Sequence, residues 1–257
     1  MRAGCTLPVG MDQLMNHVAG QVATGDLPDA RHLRECFRPT RAGSDYNPPE
    51  SPLEFVHADD HLLVVSKPSG LLSVPGKGHA LRDCLLARVQ AEMPAALLVH
   101  RLDRDTSGIT VFALTSHSQR HLGRQFEDRI VEKTYVARVR GRMPLPDGVI
   151  ELPIIADWPN RPLQKVCFET GRPALTAWQV EHFEDDATRV LLYPKTGRSH
   201  QLRLHMQAIG HPVLGDPLYG EPDLTGSVDR LQLHASRLKL RHPDGGAWME
   251  FSSPQPF

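Results

Sequence analysis

Between two apolar runs, AALLV and ITVFAL, the chain carries the ten residues VHRLDRDTSG, from Val99 to Gly108. Short apolar runs bounded by turn residues read as buried strands. The fold must therefore place Arg101, Asp103, Arg104 and Asp105 at the end of one buried strand and the start of another. One reading is a solvated turn, since Asp105-Thr106-Ser107-Gly108 has the composition of one. The other is a functional loop, in which an Asp flanked by arginines stays ionised, because nearby cations favour the charged carboxylate. Such an Asp suits a nucleophile or an ion-pair role better than a general acid.

Around this loop the pattern is that of an α+β domain. Leu62 to Val65 read as a strand with its exit turn at Pro68 and Gly70. ALRDCLLARVQAEMP spaces Leu81, Leu85, Val89 and Met93 as one face of a helix closed by Pro94. Ser116 is placed to cap a second helix, SHSQRHLGRQFEDR. EKTYVARVRG alternates Tyr135, Ala137 and Val139 with Val136, Arg138 and Arg140, as a strand does. VCFET and ALTAWQVEHF flank Gly171-Arg172-Pro173 as a hairpin would, and TRVLLYP follows as another strand. In SHQLRLHMQAIG, Leu202, Met206 and Ile209 have helical spacing and Gly210 stands where a helix stops. LQLHASRLKL and AWMEFSS complete a strand-rich C-terminal half. Hairpin-joined strands with a few helices predict a mixed, mostly antiparallel sheet with flanking helices. The first 44 residues are irregular, with only LPDARHLRECF resembling part of a helix. DYNPPESP, with its three prolines, predicts an extended linker. The expected division is an appendage at 1–44 and one domain at 45–257.

Composition narrows the function. A formal net charge of −1 gives no global sign of a polyanion binder, so any such contact needs a local basic patch. Cys5, Cys36, Cys84 and Cys167 are scattered without a C-x-x-C pair, which argues against a zinc ribbon or a disulfide framework and fits a reducing compartment. No apolar run approaches a membrane span and no signal-peptide pattern opens the chain, so a cytoplasmic protein is expected. GLLSVPGKG misses the phosphate-loop spacing and lacks the Ser or Thr after its Lys. His200 and His205 lie five apart, with no H-E-x-x-H or His/Cys cluster, and read as capping and surface residues; no metal is expected. There is no G-x-S-x-G elbow, and Ser107 reads as a turn residue. KTGRSHQLRLH sets Arg198 and Arg203 in a loop and the helix after it, a common setting for phosphate. Tyr135 by itself reads as a core residue on the strand face opposite Arg138 and Arg140.

HRLDRDTSG resembles the catalytic motif of the RluA family of pseudouridine synthases. SKPSGL before it, and KTYVARVRG, TGRSHQLRLH, GDPLYG and LQLHA after it, follow in the family's order from about Tyr46 to the C-terminus. NPPESP and LPIIADWPNRPLQKVCFETGRPALT are most similar to the dual-specificity branch, which modifies a 23S rRNA loop and a tRNA anticodon stem-loop. The resemblance implies conversion of uridine in RNA to pseudouridine without cofactor or metal, in a central cleft, by a monomer. It gives Asp103 as the essential carboxylate, with Arg203 as its partner. It gives Tyr135 as the ring packed on the target base and a proton acceptor, and Arg101 as the residue that holds the flipped-out nucleotide. Arg138, Arg140 and Arg198 are the further RNA-binding residues expected from the chain. Many relatives carry an N-terminal S4 RNA-binding domain; the first 44 residues are too short for one, so RNA selection is expected to rest on the catalytic domain. Two rivals remain. A catalytically idle RNA-binding protein would keep the arginines but has no need of Asp103. A glycoside hydrolase needs a second carboxyl as acid, for which Asp105 is the only close candidate.

Overall fold

The computed structural model describes residues 46–220 and 228–257. The segment before them, with the helix-like LPDARHLRECF, Cys5 and Cys36, lies outside the described residues. The elements in order are β1 (Glu54–Ala58), β2 (Leu62–Lys67), α1 (Leu85–Glu92), β3 (Leu97–Leu98), β4 (Ser107–Ala113), α2 (Ser116–Glu127) and β5 (Glu132–Arg140). They continue with β6 (Asp147–Glu151), β7 (Ile154–Ala156), β8 (Gln164–Val166), β9 (Leu175–Phe183), β10 (Ala187–Pro194), α3 (Gln201–Ala208), β11 (Leu233–Arg241) and β12 (Trp248–Ser252). Ten strands form one sheet along the path β1-β2-β4-β11-β5-β10-β9-β6, with β12 beside β11 and β3 beside β4, while β7 and β8 pair separately. Among the described strands every pairing is antiparallel except that of β4 with β11.

The apolar runs are explained by helices on both faces. Leu62 and Val64 of β2 pack with Ile109, Val111 and Leu122 under α2, while Leu63, Val65 and Phe112 pack with Leu85 and Val89 of α1. A strand covered on both sides has no polar face, hence LLVV and ITVFA without alternation. In the other half, Ala137 and Val139 of β5 meet Leu202 and Met206 of α3, with Tyr135 and Ile209 at the margin. The predicted faces of β5 and α3 are those that pack.

Several local expectations change. α1 begins at Leu85, capped by Cys84, and Leu81 instead ends a short 3-10 turn. Thr115, not Ser116, caps α2: its Oγ1 accepts the Ser118 amide at 3.0 Å. The linker is docked, with the Tyr46 hydroxyl donating to the Asp83 carbonyl and accepting from the Leu72 amide. The hairpin across Gly171 does not form: β8 pairs with β7, and β9 with β6 and β10. The reason lies in a turn closed by the Gly171 amide on the Cys167 carbonyl, after which Arg172 bridges Ile154 and leads away from β8.

Two parallel pairs, His234 with Ser107 and Ala235 with Gly108, join the β2–β4 half of the sheet to the β5–β10 half. Ser107 and Gly108 are thus strand residues and not the turn that their composition suggested. Ser107 is buried, its Oγ 2.8 Å from His234 Nδ1 and 2.5 Å from an Arg230 nitrogen that donates to it. Gly108 has φ +111°, and a Cβ there would lie 2.2 Å from the Ala235 carbonyl oxygen. α3 is buried on nearly every side, including Gln201, Arg203 and His205. His205 is therefore no surface residue: its Nδ1 lies 2.9 Å from Thr176 Oγ1 and its Nε2 3.1 Å from the Leu152 carbonyl.

Two outcomes follow from this packing. Gly108→Ala, which meets backbone rather than a movable side chain, should cost about 3–5 kcal/mol, at the severe end for single substitutions; an unchanged urea midpoint would contradict the close approach of β4 to β11. Burial holds His205 and His234 down to about 4, so both are neutral in the fold while the unfolded chain takes up protons near the ordinary value of about 6.5. The unfolded state then binds more protons between about pH 6.5 and 4, and stability falls as pH drops through that window, by up to about 2–3 kcal/mol per pH unit for two groups. Denaturant midpoints measured from pH 7 to 4 check this, and a flat profile would contradict it.

Candidate active site

The charged loop is held by its backbone. Lys67, at the buried end of β2, donates from Nζ to the carbonyls of Pro68, Leu71 and Arg104 at 2.9, 2.6 and 2.8 Å. Ser69 Oγ donates to the Asp105 carbonyl at 2.6 Å, and Ser73 Oγ donates to the Leu102 carbonyl at 2.6 Å. Burial lowers the Lys67 ammonium to about 7, against the pull of Asp105 and Asp103. The segment SKPSGLLS thus works as a clamp that fixes the carbonyls of Leu102, Arg104 and Asp105 and leaves the Asp103 side chain free to reach the cleft.

The side chains then separate by partner. Arg104 turns to Asp105, with Nε 2.8 Å from Oδ1, and Arg101 is exposed. Neither neighbour in sequence pairs with Asp103. Its cation comes from α3, where Arg203 Nη1 stands 3.7 Å from Asp103 Oδ2. Besides the expected pairing, Arg203 has a tighter partner in a second carboxylate: Nε and Nη2 bind Asp216 Oδ2 and Oδ1 at 2.7 and 2.6 Å, with both residues buried. A bidentate pair of this geometry fixes the guanidinium plane. Asp216 Oδ1 also accepts the amides of Leu218 and Tyr219 at 2.8 and 3.0 Å. The Tyr219 ring lies 5.3 Å from the guanidinium carbon, and its hydroxyl is 2.8 Å from His200 Nδ1. Burial works against the Arg203 charge, but the hydrogen bonds and charge of Asp216, with Asp103 adding, leave its pKa raised.

A cleft of about 470 Å³ opens over these groups, lined among others by Arg101, Asp103, Tyr135, Arg198 and Arg203. Tyr135 is half-buried; burial first, and the charge of Asp103 second, push its phenol well above the ordinary range, so it enters the cleft as a neutral ring. The floor is His100, which accepts the Val111 amide at 3.0 Å and stacks on Phe126 with centroids 4.6 Å apart. Opposite lies a cluster of cations. Lys133 is lowered to about 8 by burial, then by Lys195 and Arg129. Arg198 is lowered by burial, then by Arg172 and Arg129. Like charges crowded along a cleft beside a carboxylate make a site suited to a polyanion.

Of the residues expected from the sequence, Asp103, Tyr135, Arg203, Arg101 and Arg198 line this one cleft. Arg138 and Arg140 do not. The alternation of β5 sends Arg138 to the face opposite Tyr135, where it binds Glu184 with Nε 2.7 Å from Oε2. Arg140 stands at the exposed end of the same strand. Sequence reasoning missed Lys67, Lys133, Arg129 and Asp216. A lysine closing an apolar strand was the available signal for the first. Lys133 could have been found by period, two positions from Tyr135 on the same strand face. Among the described residues no group of three or more His, Cys, Asp or Glu side chains is arranged to hold a metal ion, and no helix is long and apolar enough to cross a membrane.

Residues 61–208 match the family described as RNA pseudouridylate synthase. The chain is 52% identical over 215 residues to the dual-specificity RNA pseudouridine synthase RluA of Salmonella typhi, covering 83% of this chain and 98% of that protein. It is 49% identical over 214 residues to the protein of that name from Pasteurella multocida. Among solved structures, human RNA Pseudouridylate Synthase Domain Containing 1 superposes with a TM-score of 0.69 at 31% identity, covering 82% of this chain and 87% of that one.

Because the Arg203–Asp216 pair is buried, removing either partner strands a charge. Asp216→Ala and Arg203→Met should each cost about 3–5 kcal/mol, and the joint replacement Arg203→Met with Asp216→Leu should be more stable than either single variant. Urea midpoints of the three proteins test this; an Asp216→Ala midpoint equal to that of the parent would mean that Arg203 is solvated.

Proposed function

The chain belongs to the RNA pseudouridylate synthase family, and from that premise we propose that it isomerises uridine in two RNAs, a 23S rRNA loop and a tRNA anticodon stem-loop. The observation that carries the reading is the placement of the Asp103 carboxylate beside Arg203 in a cleft with a neutral Tyr135 ring and a wall of cations. The relatives named above, matched along nearly their whole length, are the support for dual specificity.

The reaction gains and loses no atoms: the C1′–N1 bond of uridine breaks, the freed uracil turns, and C1′ bonds to C5, whose proton leaves as N1 gains one. A base inside a stem cannot reach Asp103, so the target nucleotide leaves the stack, at a cost of a few kcal/mol that is smallest in a loop. Arg101 and Arg198, with Arg129 and Lys133, hold the phosphates on either side. Tyr135 packs against the uracil. Its raised pKa keeps the proton on the phenol at rest, so it can accept the C5 proton only if it passes its own proton on. Asp103 either attacks C1′ or takes the proton from C2′; in both courses the 3.7 Å contact with Arg203 sets where the carboxylate points. Arg203 itself stays locked on Asp216 and is a positioning residue. Arg138 and Arg140, outside the cleft wall, bind RNA only where a stem extends past the cleft. Residues 45–257 supply the RNA contacts, in a cytoplasmic monomer.

An idle RNA-binding protein would have no use for a clamp of three side chains on the backbone of the Asp103 loop. Asp103→Asn, near-isosteric and half-exposed, should keep the parent's melting temperature and its affinity for a synthetic anticodon stem-loop, yet form no pseudouridine on it. Turnover of the purified variant above a buffer blank would remove Asp103 from its role. Pseudouridine maps of total RNA from cells with and without the protein decide the substrates: loss at one rRNA site and one tRNA site is expected, and loss in only one RNA class would defeat dual specificity alone.

A further inference from the structure

Among the described residues the two most exposed large apolar side chains are Phe168, 74% exposed, and Trp158, 65% exposed. Trp158 lies in the connection between β7 and β8, and Phe168 in the turn just after β8; this hairpin and its flanking turn stand outside the main sheet. The hairpin is not loosely attached. Ile154 and Leu163 pack with Leu204 of α3 and with Tyr219, and the Gln164 amide donates to the Tyr219 hydroxyl at 2.8 Å. Its inner side therefore rests on the residues that fix Arg203, while its two aromatic rings face outward.

Cations interleave with the rings. Arg161 stacks over Trp158, with its guanidinium carbon 4.4 Å from the ring centroid. Arg172 is exposed, four residues after Phe168 and just past the turn that carries it. Arg198, on the cleft wall, donates to the Pro173 carbonyl at 3.3 Å and is close enough to Arg172 and Arg129 for both to depress its pKa. Exposed cations thus lie between the cleft and the base of the hairpin, with one carboxylate, Glu169, beside Phe168 in the turn. A surface built for another protein gathers apolar side chains into a charge-poor core. Separate rings alternating with guanidinium groups, beside a cationic cleft, match unpaired nucleotides, whose bases stack on rings and whose phosphates take the arginines.

Resting on the reading above, we infer that the β7–β8 hairpin, with the turn that follows it, is a second RNA-contact element: unpaired bases near the target uridine stack on Phe168 and on the Trp158–Arg161 pair, and Arg172 takes a phosphate between hairpin and cleft. The element sets KM and the choice of loop and leaves the chemistry to Asp103.

The test uses the full chain with two synthetic RNAs, an anticodon stem-loop and a short 23S rRNA hairpin. Phe168→Ala and Trp158→Ala should each raise KM on the order of tenfold, the range typical of a lost base–ring stack, with kcat within about twofold of the parent. Phe168→Tyr and Trp158→Phe, which keep a ring, should stay near the parent. RNA should quench the parent's tryptophan fluorescence more than that of Trp158→Phe. Both rings are exposed, so melting temperatures serve as a check that the variants fold. A double alanine variant with the parent's KM on both RNAs would overturn the inference while leaving the enzyme assignment intact; failure of the parent itself to modify either RNA or their full-length forms would strike the assignment. Sedimentation showing that Phe168→Ala dissolves a dimer, with KM unchanged, would make the hairpin a self-association surface and overturn it too.

Discussion

The two halves of the sheet meet through two residue pairs, and everything in the cleft depends on that junction. Ser107 and Gly108 of β4 lie against His234 and Ala235 of β11, and the approach is so close that only hydrogen fits on Gly108 Cα. Four residues upstream is Asp103. Because its loop enters β4 at the junction, the carboxylate is delivered to the seam between halves, where β5 brings Tyr135 and α3 brings Arg203. A sheet of only antiparallel hairpins would have put these residues on separate edges.

Around the seam several polar groups are buried, and most are held by hydrogen bonds to other segments. Arg203 of α3 depends on Asp216, Ser107 on His234 and Arg230, His205 on Thr176 and Leu152, and Lys67 on three carbonyls. Buried polar groups left unpaired cost more than paired ones return, so such networks select one arrangement sharply. The result is a guanidinium fixed on Asp216 beside Asp103, while Arg101 and Arg129 stand exposed along the same cleft.

Much of this was legible beforehand. Strand and helix faces were readable because burial repeats with the period of the element, as with Tyr135, Ala137 and Val139, or Leu202 and Met206. The Asp103 loop drew attention by its dense charge between apolar runs, but a solvated turn fitted that charge equally well until the neighbouring motifs carried the family resemblance. The errors have equally definite causes. Ser107 and Gly108 have turn chemistry but serve a close strand contact. The false hairpin across Gly171 came from treating neighbours in sequence as neighbours in a sheet. His205 was read as a surface residue because nothing local indicates that α3 is buried on nearly all sides. The β5 arginines were assigned to RNA by type, although their strand alternation sets Arg138 on the far face from Tyr135.

The sequence by itself determined the periodic faces and the α+β class and, through the resemblance, named Asp103 as the candidate carboxylate, because these depend on local pattern and on motifs a few residues long. Only the tertiary structure decided who partners whom. Arg203 reaches Asp216 across thirteen positions and Asp103 across a hundred, and the closer, fully buried carboxylate takes the bidentate bond. Long-range pairing is set by which groups share a desolvated space once the sheet closes, and no local window of sequence contains that information.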